Sequence, residues 1–362
     1  DVIVVGAGLS GSAAAFRLAE AGKSVLLIER GDFPGSKNVS GGRLYTYALE
    51  LVQPGMTRQA PLERFVTSEQ LMLLDGERAV QIEFSDLSLH APSMQSGTVL
   101  RATFDEWFAG QAEAQGAMLV SGIRVDDLLV REGEIRGVIA GEDEMEAEVV
   151  LAADGANSFL AQKAGLRQDI SVHSTGVGVK EVIALPAANI EQRFNLRPGE
   201  GTARMLLGGM EGINGGGFLY TNRESISLGC VFTANALSRS QRSIHAIFQQ
   251  LKLHPALQPL LDGGTTVEYS AHLVPEAGWN GVPIPLSRPG LLVVGDAAGF
   301  VINQGYTIRG MDLAIVSGLA AAQAILISTS REGVGAAYQT ALQEFGLVAT
   351  MQHYARYPAL ME

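Results

Sequence analysis

The hydrophobic pattern of the first thirty residues alternates between strand and helix. β-Branched residues from Val2 to Val5 predict a short, fully buried strand. Small and apolar residues from Ser10 to Ala21 predict a helix directly after it, and an apolar run from Ser24 to Ile28 predicts the next strand. A strand, a helix and a strand in this order are typical of a parallel α/β unit.

Farther along the chain, the pattern changes to short alternating strands. The stretch from Glu63 to Phe84 predicts a hairpin, because alternating segments flank an Asp-Gly turn. Three runs between residues 123 and 151, the last from Met145 to Leu151, predict a three-stranded meander. Residues 170–285 are rich in glycine and contain one clear helix, Ser243 to Leu253. They predict a separate antiparallel sheet that roofs a cavity.

The end of the chain returns to the first pattern. An apolar run from Gly290 to Val294 predicts another buried strand. A helix from Leu313 to Ile327 is apolar all round, which indicates that it is buried. We expect its N-terminus to hold negative charge in a dry site. The helix is too short to cross a bilayer, so no transmembrane segment is predicted.

Composition narrows the class of protein. The chain has 362 residues, of which 47% are hydrophobic and 18% charged, as in a globular α/β enzyme. A net charge of −12 without a basic cluster argues against a nucleic-acid partner. The single cysteine, Cys230, excludes a disulfide framework, and the scattered histidines predict no metal site. Because no signal peptide is visible, we expect a cytoplasmic protein, with at most peripheral contact at the inner face of the membrane.

Three glycines at the end of the first strand carry the first chemical signal. Gly6, Gly8 and Gly11 have the spacing of a dinucleotide-binding turn. In such a turn the first glycine bends the chain, the second admits a pyrophosphate and the third lets the helix lie close to the sheet. Glu29, at the end of the next strand, has the position of a ribose-hydroxyl acceptor. The alternative is an accidental glycine turn.

Two other predicted strands also end in a carboxylate and a glycine. Asp154-Gly155 precedes a predicted helix from Phe159 to Ala164, and Gly295-Asp296 opens a Gly-Asp-Ala-Ala-Gly segment. Strand ends of this kind meet ligands at the switch edge of a parallel sheet. For Asp154 the alternative is an N-cap on an ordinary helix. The glycine-rich loop from Arg30 to Arg43 predicts backbone packed against a ligand, or else an ordinary crossover loop.

Together these motifs resemble the FAD contacts of the flavoproteins that include aromatic hydroxylases and geranylgeranyl reductases. The segments 37–43, 217–222, 269–278 and 305–314 are similar to those of the FixC family, whose relatives are the electron-transfer-flavoprotein:quinone oxidoreductases. The resemblance covers nearly all of residues 1 to about 345.

The resemblance implies a noncovalent FAD. It places Glu29 at the adenosine ribose, Arg101 at the adenosine and phosphate half, and Asp296 at the ribitol or pyrophosphate. The segment from Gly305 to Arg309 would lie under the pyrimidine edge of the flavin, and the segment from Lys37 to Arg43 beside the isoalloxazine. The predicted cofactor-binding residues are Gly6, Gly8, Leu9, Ser10, Gly11, Glu29, Arg30, Lys37, Asn38, Gly41, Gly42, Arg43, Arg101, Val125, Ala153, Asp154, Gly155, Gly295, Asp296, Gly305 and Ile308.

We therefore predict an α/β fold. It combines an FAD/NAD(P)-binding Rossmann-like domain, which carries the three-stranded β-meander, with an α+β antiparallel-sheet substrate domain. The predicted ranges are 1–62, 96–168 and 287–328 for the discontinuous FAD-binding domain, 63–95 and 169–286 for the substrate or acceptor domain, and 329–362 for a C-terminal helical segment.

The function implied is that of an FAD-dependent oxidoreductase. Electrons would enter from an electron-transfer flavoprotein, or from a small substrate that is dehydrogenated. They would leave to a quinone or a ferredoxin-like protein, the latter on another chain because cluster-binding cysteines are absent. His272 and Glu276 are candidate catalytic groups near the flavin or acceptor, with a structural histidine and a turn glutamate as the alternative. Two rival functions stay open: an NAD(P)H-dependent flavin reductase or monooxygenase of the geranylgeranyl reductase type, and a flavin-holding subunit of an electron-transfer complex.

Overall fold

The structure is a computed structural model. It describes residues 1–37, 42–90, 95–168, 171–210, 212–213, 215–304 and 307–357, with only the backbone considered at positions 87 and 90.

Within these ranges the chain forms twenty strands and twelve α-helices, with three short 3₁₀ turns. The strands are β1 (Val2–Val5), β2 (Val25–Ile28), β3 (Gly42–Tyr45), β4 (Phe65–Asp75), β5 (Arg78–Ser85), β6 (Ser96–Val99), β7 (Met118–Val120), β8 (Asp127–Arg131), β9 (Glu134–Ala140), β10 (Asp143–Glu146), β11 (Val149–Ala152), β12 (Thr175–Ala184), β13 (Glu200–Gly208), β14 (Gly215–Thr221), β15 (Ser225–Thr233), β16 (Thr265–Pro275), β17 (Ser287–Arg288), β18 (Leu291–Val293), β19 (Ile302–Asn303) and β20 (Ile308–Arg309). The helices are α1 (Leu9–Glu20), α2 (Tyr47–Val52), α3 (Met56–Gln59), α4 (Arg101–Ala114), α5 (Phe159–Lys163), α6 (Ala187–Phe194), α7 (Ala234–Ser240), α8 (Ile244–Lys252), α9 (Gln258–Leu261), α10 (Met311–Ile327), α11 (Gly333–Glu344) and α12 (Leu347–His353). The 3₁₀ turns are Leu87–His90, Gly278–Gly281 and Gly295–Ala298.

A six-stranded sheet holds the first and last parts of the chain. Its strand order is β17-β18-β11-β1-β2-β7, and all neighbours are parallel except the edge strand β17. The residues of β1 are all buried, as expected for a strand covered on both faces. Helix α1 packs against α4 and against the buried helix α10. The predicted parallel α/β unit is therefore present.

The meander differs from its prediction in the third strand. The predicted run from Met145 to Leu151 divides into β10, which pairs with β9, and β11, which lies in the centre of the six-stranded sheet. The change occurs between two residues: the Ala147 amide donates to Arg136, while the Glu148 amide donates to Asp1. The four residues of β11 are all buried, whereas β10 is mostly exposed. Continuous burial is typical of a parallel central strand.

A second sheet, of nine strands, lies opposite the six-stranded sheet. Its order is β16-β12-β15-β14-β13-β4-β6-β3, with β5 paired to the outer part of β4. It is mainly antiparallel, as predicted, but β4 and β13 run parallel. Strands β3 and β6, from ranges predicted for the FAD-binding domain, also join this sheet. The sequence after the glycine-rich loop predicts a helix from Leu44 to Leu51, but Leu44 and Tyr45 belong to β3 and the helix α2 begins at Tyr47. The division into domains stays a prediction.

Helices cover one face of this larger sheet. Only α8 was predicted clearly within 170–285, but α6, α7 and α9 are present as well. Ile190 and Phe194 of α6 and Phe248 of α8 belong to the apolar core on this face. The other face is turned toward the six-stranded sheet. No helix within the described ranges is both long and apolar enough to cross a membrane.

Candidate functional site

A large cavity is lined by residues of both sheets. Its volume is about 1060 Å³, at the upper limit of ordinary ligand pockets of roughly 300–1,000 Å³. The predicted residues that line it are Gly6, Gly8, Leu9, Ser10, Glu29, Arg30, Lys37, Gly42, Arg43, Arg101, Val125, Ala153, Asp154, Gly155, Asp296 and Ile308, together with His272 and Glu276. Three other predicted residues, Asn38, Gly41 and Gly305, lie outside the described residues.

Adjacent strand ends bring the three predicted motifs together. Strands β2, β1, β11 and β18 are neighbours and run parallel, so their carboxyl ends share one edge of the sheet. Gly6, Glu29, Asp154 and Asp296 follow these four ends and line the same cavity. This is the switch edge at which open α/β sheets bind ligands.

The three glycines of the first turn have different surroundings. Gly6 has φ +106, and a Cβ there would collide with the carbonyl oxygen of Ala153. A Cβ at Gly11 would collide with the carbonyl oxygen of Gly6, so this glycine lets α1 pack on the turn. Gly8 has no atom within 4 Å of the position of a Cβ. Of the three, Gly8 therefore leaves open space in front of the backbone.

Two predicted contacts, Gly11 and Gly295, do not line the cavity. At Gly295 a Cβ would lie 2.5 Å from Oγ of Ser10, and its amide donates to Oγ of Ser317 at 2.8 Å. Gly295 therefore allows the beginning of α1 and the helix α10 to pack closely against the chain at this point. The structure shows both glycines in close packing, and their role as cofactor contacts stays a prediction.

The beginning of α1 offers free backbone donors. The helix starts after Gly8, has 12 residues, and carries no side-chain cap and no acidic residue in its first turn. The first N–H groups of a helix have no partner within the helix, and they carry partial positive charge. Gly8, Leu9 and Ser10 line the cavity at this end. The local structure therefore favours an anionic ligand group.

Glu29 connects the glycine turn with the loop after β2. Its Oε2 accepts a hydrogen bond from the Ala7 amide at 3.1 Å, and its Oε1 accepts one from the Gly31 amide at 2.6 Å. A carboxylate has about four acceptor positions, so further donors can still bind. The half-buried side chain is thus fixed at the cavity wall by the backbone on either side.

Asp154 has one satisfied and one unsatisfied oxygen. Its Oδ2 accepts from the Leu160 amide at 2.9 Å, a contact at the beginning of α5 of the kind expected for the capping alternative. Its Oδ1 is buried and has no hydrogen-bond partner in the described part of the chain. Burial raises the pKa of this carboxyl despite backbone hydrogen bonds that favour its charged form. The side chain therefore serves the helix and still offers an acceptor at the cavity.

Asp296 lies among three cationic or titratable side chains. Burial raises its pKa, against the attraction of Arg101, His272 and Arg167. Arg101 itself is held by a two-point ion pair with the fully buried Asp105, at 2.8 Å from Nε and 2.7 Å from Nη2. Arg101 and Asp296, separated by almost two hundred residues, thus line the same cavity and attract each other.

The end of the cavity beyond Asp296 contains a cluster that the sequence did not reveal. The ring of Tyr45 lies between the guanidinium groups of Arg43, at 4.9 Å, and Arg309, at 4.1 Å. Arg43 also pairs with Glu69 at 2.5 Å, and Arg309 with Asp312. Only the i, i+3 spacing of the second pair was visible in the sequence.

The residues around Asp312 change the expectation for the N-terminus of α10. The N-terminus of α10 was expected to hold negative charge, but its first turn already contains the buried carboxylate of Asp312. Tyr47 donates a hydrogen bond to this carboxylate at 2.8 Å, and Arg309 pairs with it. The helix end is therefore partly compensated by the chain itself.

His272 and Glu276 both line the cavity, at the end of β16. Nδ1 of His272 lies 2.5 Å from the carbonyl oxygen of Leu273. The carboxyl of Glu276 is buried, its Oε2 has no partner in the described ranges, and burial raises its pKa to about 7. Of these two candidate catalytic residues, Glu276 is the one with a buried polar atom that has no partner in the described ranges.

Comparison with known proteins identifies relatives over the full chain. The sequence matches the family FAD dependent oxidoreductase over residues 1–194 and the family ETF-QO, ubiquinone-binding, over residues 175–274. It is 46% identical over 368 residues to the probable electron transfer flavoprotein-quinone oxidoreductase YdiS of Escherichia coli strain K12. It is 45% identical over 367 residues to Protein FixC of the same strain. Each alignment covers 100% of this chain and 85% of the relative.

Solved structures share the fold at lower identity. A geranylgeranyl bacteriochlorophyll reductase-like protein from Thermoplasma acidophilum has a TM-score of 0.76 at 22% identity, over 99% of this chain and 85% of that one. The flavin-dependent brominase Bmp2 has a TM-score of 0.74 at 16% identity, over 99% and 88%. At these identities the likeness shows the fold alone.

Proposed function

The chain belongs to the FAD-dependent oxidoreductases, in the group of FixC and the electron-transfer-flavoprotein:quinone oxidoreductases, and we propose that it passes electrons from an electron-transfer flavoprotein through FAD to a quinone. This membership confirms the predicted family, fold class, enzyme class and FAD cofactor. The donor and the acceptor are our proposal. One observation carries it: a single cavity adjoins both the dinucleotide-binding turn and the wall built by residues 175–274.

The residues at the first end of the cavity fit a dinucleotide. The space in front of Gly8 would be filled by a Cβ, and the uncapped start of α1 faces it with free amides. Asp154 contributes a buried oxygen that lacks a partner. We propose that Gly8 to Ser10 hold the pyrophosphate, that Glu29 accepts from the adenosine ribose and that Asp296 holds the ribitol or pyrophosphate.

The proposed roles follow from the charges along the cavity. The pyrophosphate would lie between the α1 amides and Arg101. The ion pair with Asp105 holds the guanidinium group of Arg101 in place. Arg43 and Arg309 would lie near the isoalloxazine, with Tyr45 between them. The bound FAD supplies the redox chemistry, whereas the chain supplies position and electrostatics.

The wall from the nine-stranded sheet fits a flat, apolar acceptor. Its surface carries the glycines at 178, 216 and 217, together with Met205, Phe218 and Tyr220. Phe218 and Tyr220 stack at 5.1 Å between ring centroids. A few polar groups on an apolar wall are typical of sites for small organic ligands. This wall supports a quinone more directly than a protein acceptor, which binds from outside.

An apolar hairpin beside the cavity supports peripheral membrane contact. Val80, Ile82 and Phe84 of β5 are 60%, 57% and 57% exposed. Phe84 pairs with Glu69, a residue of the cavity wall, so these side chains project from the same face of the sheet. Replacing all three with serine should reduce flotation with phospholipid vesicles. Val267→Ser, on the distant edge strand β16, is the control, and equal flotation of both variants would contradict the contact.

The donor and the acceptor can be tested in two half-reactions under anaerobic conditions. The purified yellow protein is mixed with reduced electron-transfer flavoprotein, with NADH and with NADPH, and bleaching of the flavin is followed by stopped flow. We expect rapid bleaching by the electron-transfer flavoprotein alone. A water-soluble ubiquinone analogue should then restore the colour at a rate that saturates with its concentration.

The same experiment separates the rival functions. Rapid bleaching by NADPH would replace the proposal by the reductase or monooxygenase type. Recolouring by an oxidised ferredoxin but not by the quinone analogue would replace the acceptor. Turnover that needs additional partner proteins for both half-reactions would favour a flavin-holding subunit.

A further inference from the structure

Among the described residues that line the cavity, Glu276 has a buried carboxyl oxygen without a partner, and unlike Asp154 it caps no helix. Glu276 follows β16 directly and is 9% exposed. Its backbone is fixed, because its amide donates to Ser174 at 2.9 Å and its carbonyl accepts from Nδ2 of Asn303 at 3.2 Å. Its Oε2 has no hydrogen-bond partner among the described residues. An unsatisfied buried carboxyl is costly, so a native protein with such a group calls for an explanation.

The neighbouring strand leaves room for this side chain. A Cβ at Gly176 of β12 would lie 2.6 Å from the carboxyl carbon of Glu276 and 2.9 Å from Val231. Val231 pairs with Gly178 and Gly216 and lines the cavity with them. The carboxyl therefore lies at the edge of the wall that fits the acceptor, two residues past the segment matched to ubiquinone-binding proteins.

The surroundings of Glu276 bring the pKa of its carboxyl close to neutral pH. Burial alone raises its pKa to about 7, and no charged group contributes to the shift. Titratable side chains that line the same cavity from neighbouring elements include His173 before β12, His272 on β16 and Asp296 after β18. A group whose pKa lies near the working pH can both give and regain a proton efficiently.

A second, smaller cavity adjoins the position of Glu276. It has a volume of about 280 Å³, and a water molecule occupies roughly 30 Å³ of liquid. Ser174, Ala277 and Asn280 line both cavities. Ser174 accepts the amide hydrogen of Glu276, and Ala277 follows it in the chain. The two cavities therefore meet beside the segment that carries Glu276, whose own side chain lines the larger one.

We propose that Glu276 is the acid that delivers one of the two protons to the quinone, and that the smaller cavity resupplies it from solvent. This rests on the proposed function. The quinone takes up two electrons and two protons, and both electrons and one of the protons would come from the reduced FAD. Glu276 gives the other proton to one quinone carbonyl oxygen, where the O–H bond forms, and becomes a carboxylate. It regains a proton from solvent through the smaller cavity before the next turnover, and the product is the quinol.

The first test measures the protonation of Glu276 without turnover. Infrared spectra of the FAD-loaded protein, recorded from pH 5 to 9, should contain the C=O band of a carboxylic acid that disappears around neutral pH. Glu276→Gln should lack this titrating band, and Glu224→Gln, at an exposed position outside the cavity, should keep it. An unchanged band in Glu276→Gln would overturn the proposal.

The second test measures the two half-reactions separately. In Glu276→Gln, reoxidation by saturating ubiquinone analogue should fall by roughly 100-fold, as for the loss of a general acid. Bleaching by the electron-transfer flavoprotein should stay within about twofold of the wild-type rate, and Glu276→Asp should recover part of the loss. If Glu276→Gln is reoxidised by the quinone analogue at the wild-type rate, only the role of Glu276 is refuted. If the wild-type protein itself does not react with the quinone analogue, the proposed function is refuted as well.

A third variant addresses the route. Asn280→Leu should narrow the connection between the cavities by placing an apolar side chain where both are lined. We expect slower reoxidation with a larger solvent isotope effect, and an unchanged infrared band. This variant also keeps the proposal testable if Glu276→Gln does not fold. Wild-type reoxidation in Asn280→Leu would contradict the smaller cavity as the source of protons.

Discussion

Two substitutions in the first turn separate the demands of the backbone from those of the cofactor. Gly6 has a left-handed φ of +106, and a side chain there meets the carbonyl of Ala153. Gly8 has φ −78 and ψ −170, an extended conformation that any residue adopts, with open space in front of it. Gly6→Ala should therefore damage the fold, and Gly8→Val should damage the binding of FAD.

The magnitudes follow from these surroundings. For Gly6→Ala the strained backbone accounts for about 1–3 kcal/mol, and the collision with the end of β11 adds about 1–3 kcal/mol of overpacking. For Gly8→Val the loss at the N-cap of α1 is about 1 kcal/mol. A valine side chain would, however, keep the pyrophosphate from the amides of α1. Loss of one hydrogen bond to a charged group, about 1.5–3 kcal/mol, raises the Kd for FAD roughly 10- to 150-fold.

Two measurements on the apoprotein distinguish the variants. Urea unfolding gives the free energy of unfolding, and titration with FAD, followed by quenching of flavin fluorescence, gives the Kd. We expect Gly6→Ala to lose about 2–6 kcal/mol of stability, while Gly8→Val stays within about 1 kcal/mol of the wild type. The reasoning is refuted if Gly8→Val binds FAD like the wild type, or if both variants lose stability equally.

Three other predictions concern buried polar groups. Asp296→Ala should yield a folded but colourless protein, because the cavity loses its central acceptor; stoichiometric FAD after purification would contradict that assignment. Arg64 donates to Asn222, Arg223, Glu200 and Glu191 from a site that is 3% exposed, so Arg64→Met should lower the free energy of unfolding by about 3–5 kcal/mol. A urea midpoint unchanged from the wild type would show that this network is dispensable. The pKa of Glu276 is raised from 4.5 to about 7, so the folded state holds the proton more tightly than the unfolded chain. Relative to Glu276→Gln, the wild type should lose up to about 3 kcal/mol of stability as pH rises from 4.5 to 7, and parallel stability curves would argue against this burial.

Local signals predicted the parts of the site that depend on short stretches of chain. The spacing of Gly6, Gly8 and Gly11 is meaningful because a strand and a helix flank it, and both are formed by adjacent residues. The same holds for Asp154 and Asp296, which directly follow buried strands. Because neighbouring parallel strands end at one edge, the convergence of these residues followed from topology.

The remaining features depend on pairings between distant segments. The four residues of β3 show no alternating pattern of their own. They form a strand because they pair with β6, which begins more than fifty residues later in the chain. The position of Tyr45 between Arg43 and Arg309 depends on this pairing, and no periodicity connects the three residues. The burial of Glu276 depends on a glycine in another strand, which sequence spacing does not reveal.

The paths of β3 and β6 have a mechanical consequence. The chain passes between the two sheets four times: after β2, after β6, after β11 and after β16. A clamshell motion about one hinge would strain all four connections together, so opening of the whole molecule is opposed. Exchange of ligands should instead depend on rearrangement of single loops, and neither sheet is expected to fold as an excised fragment.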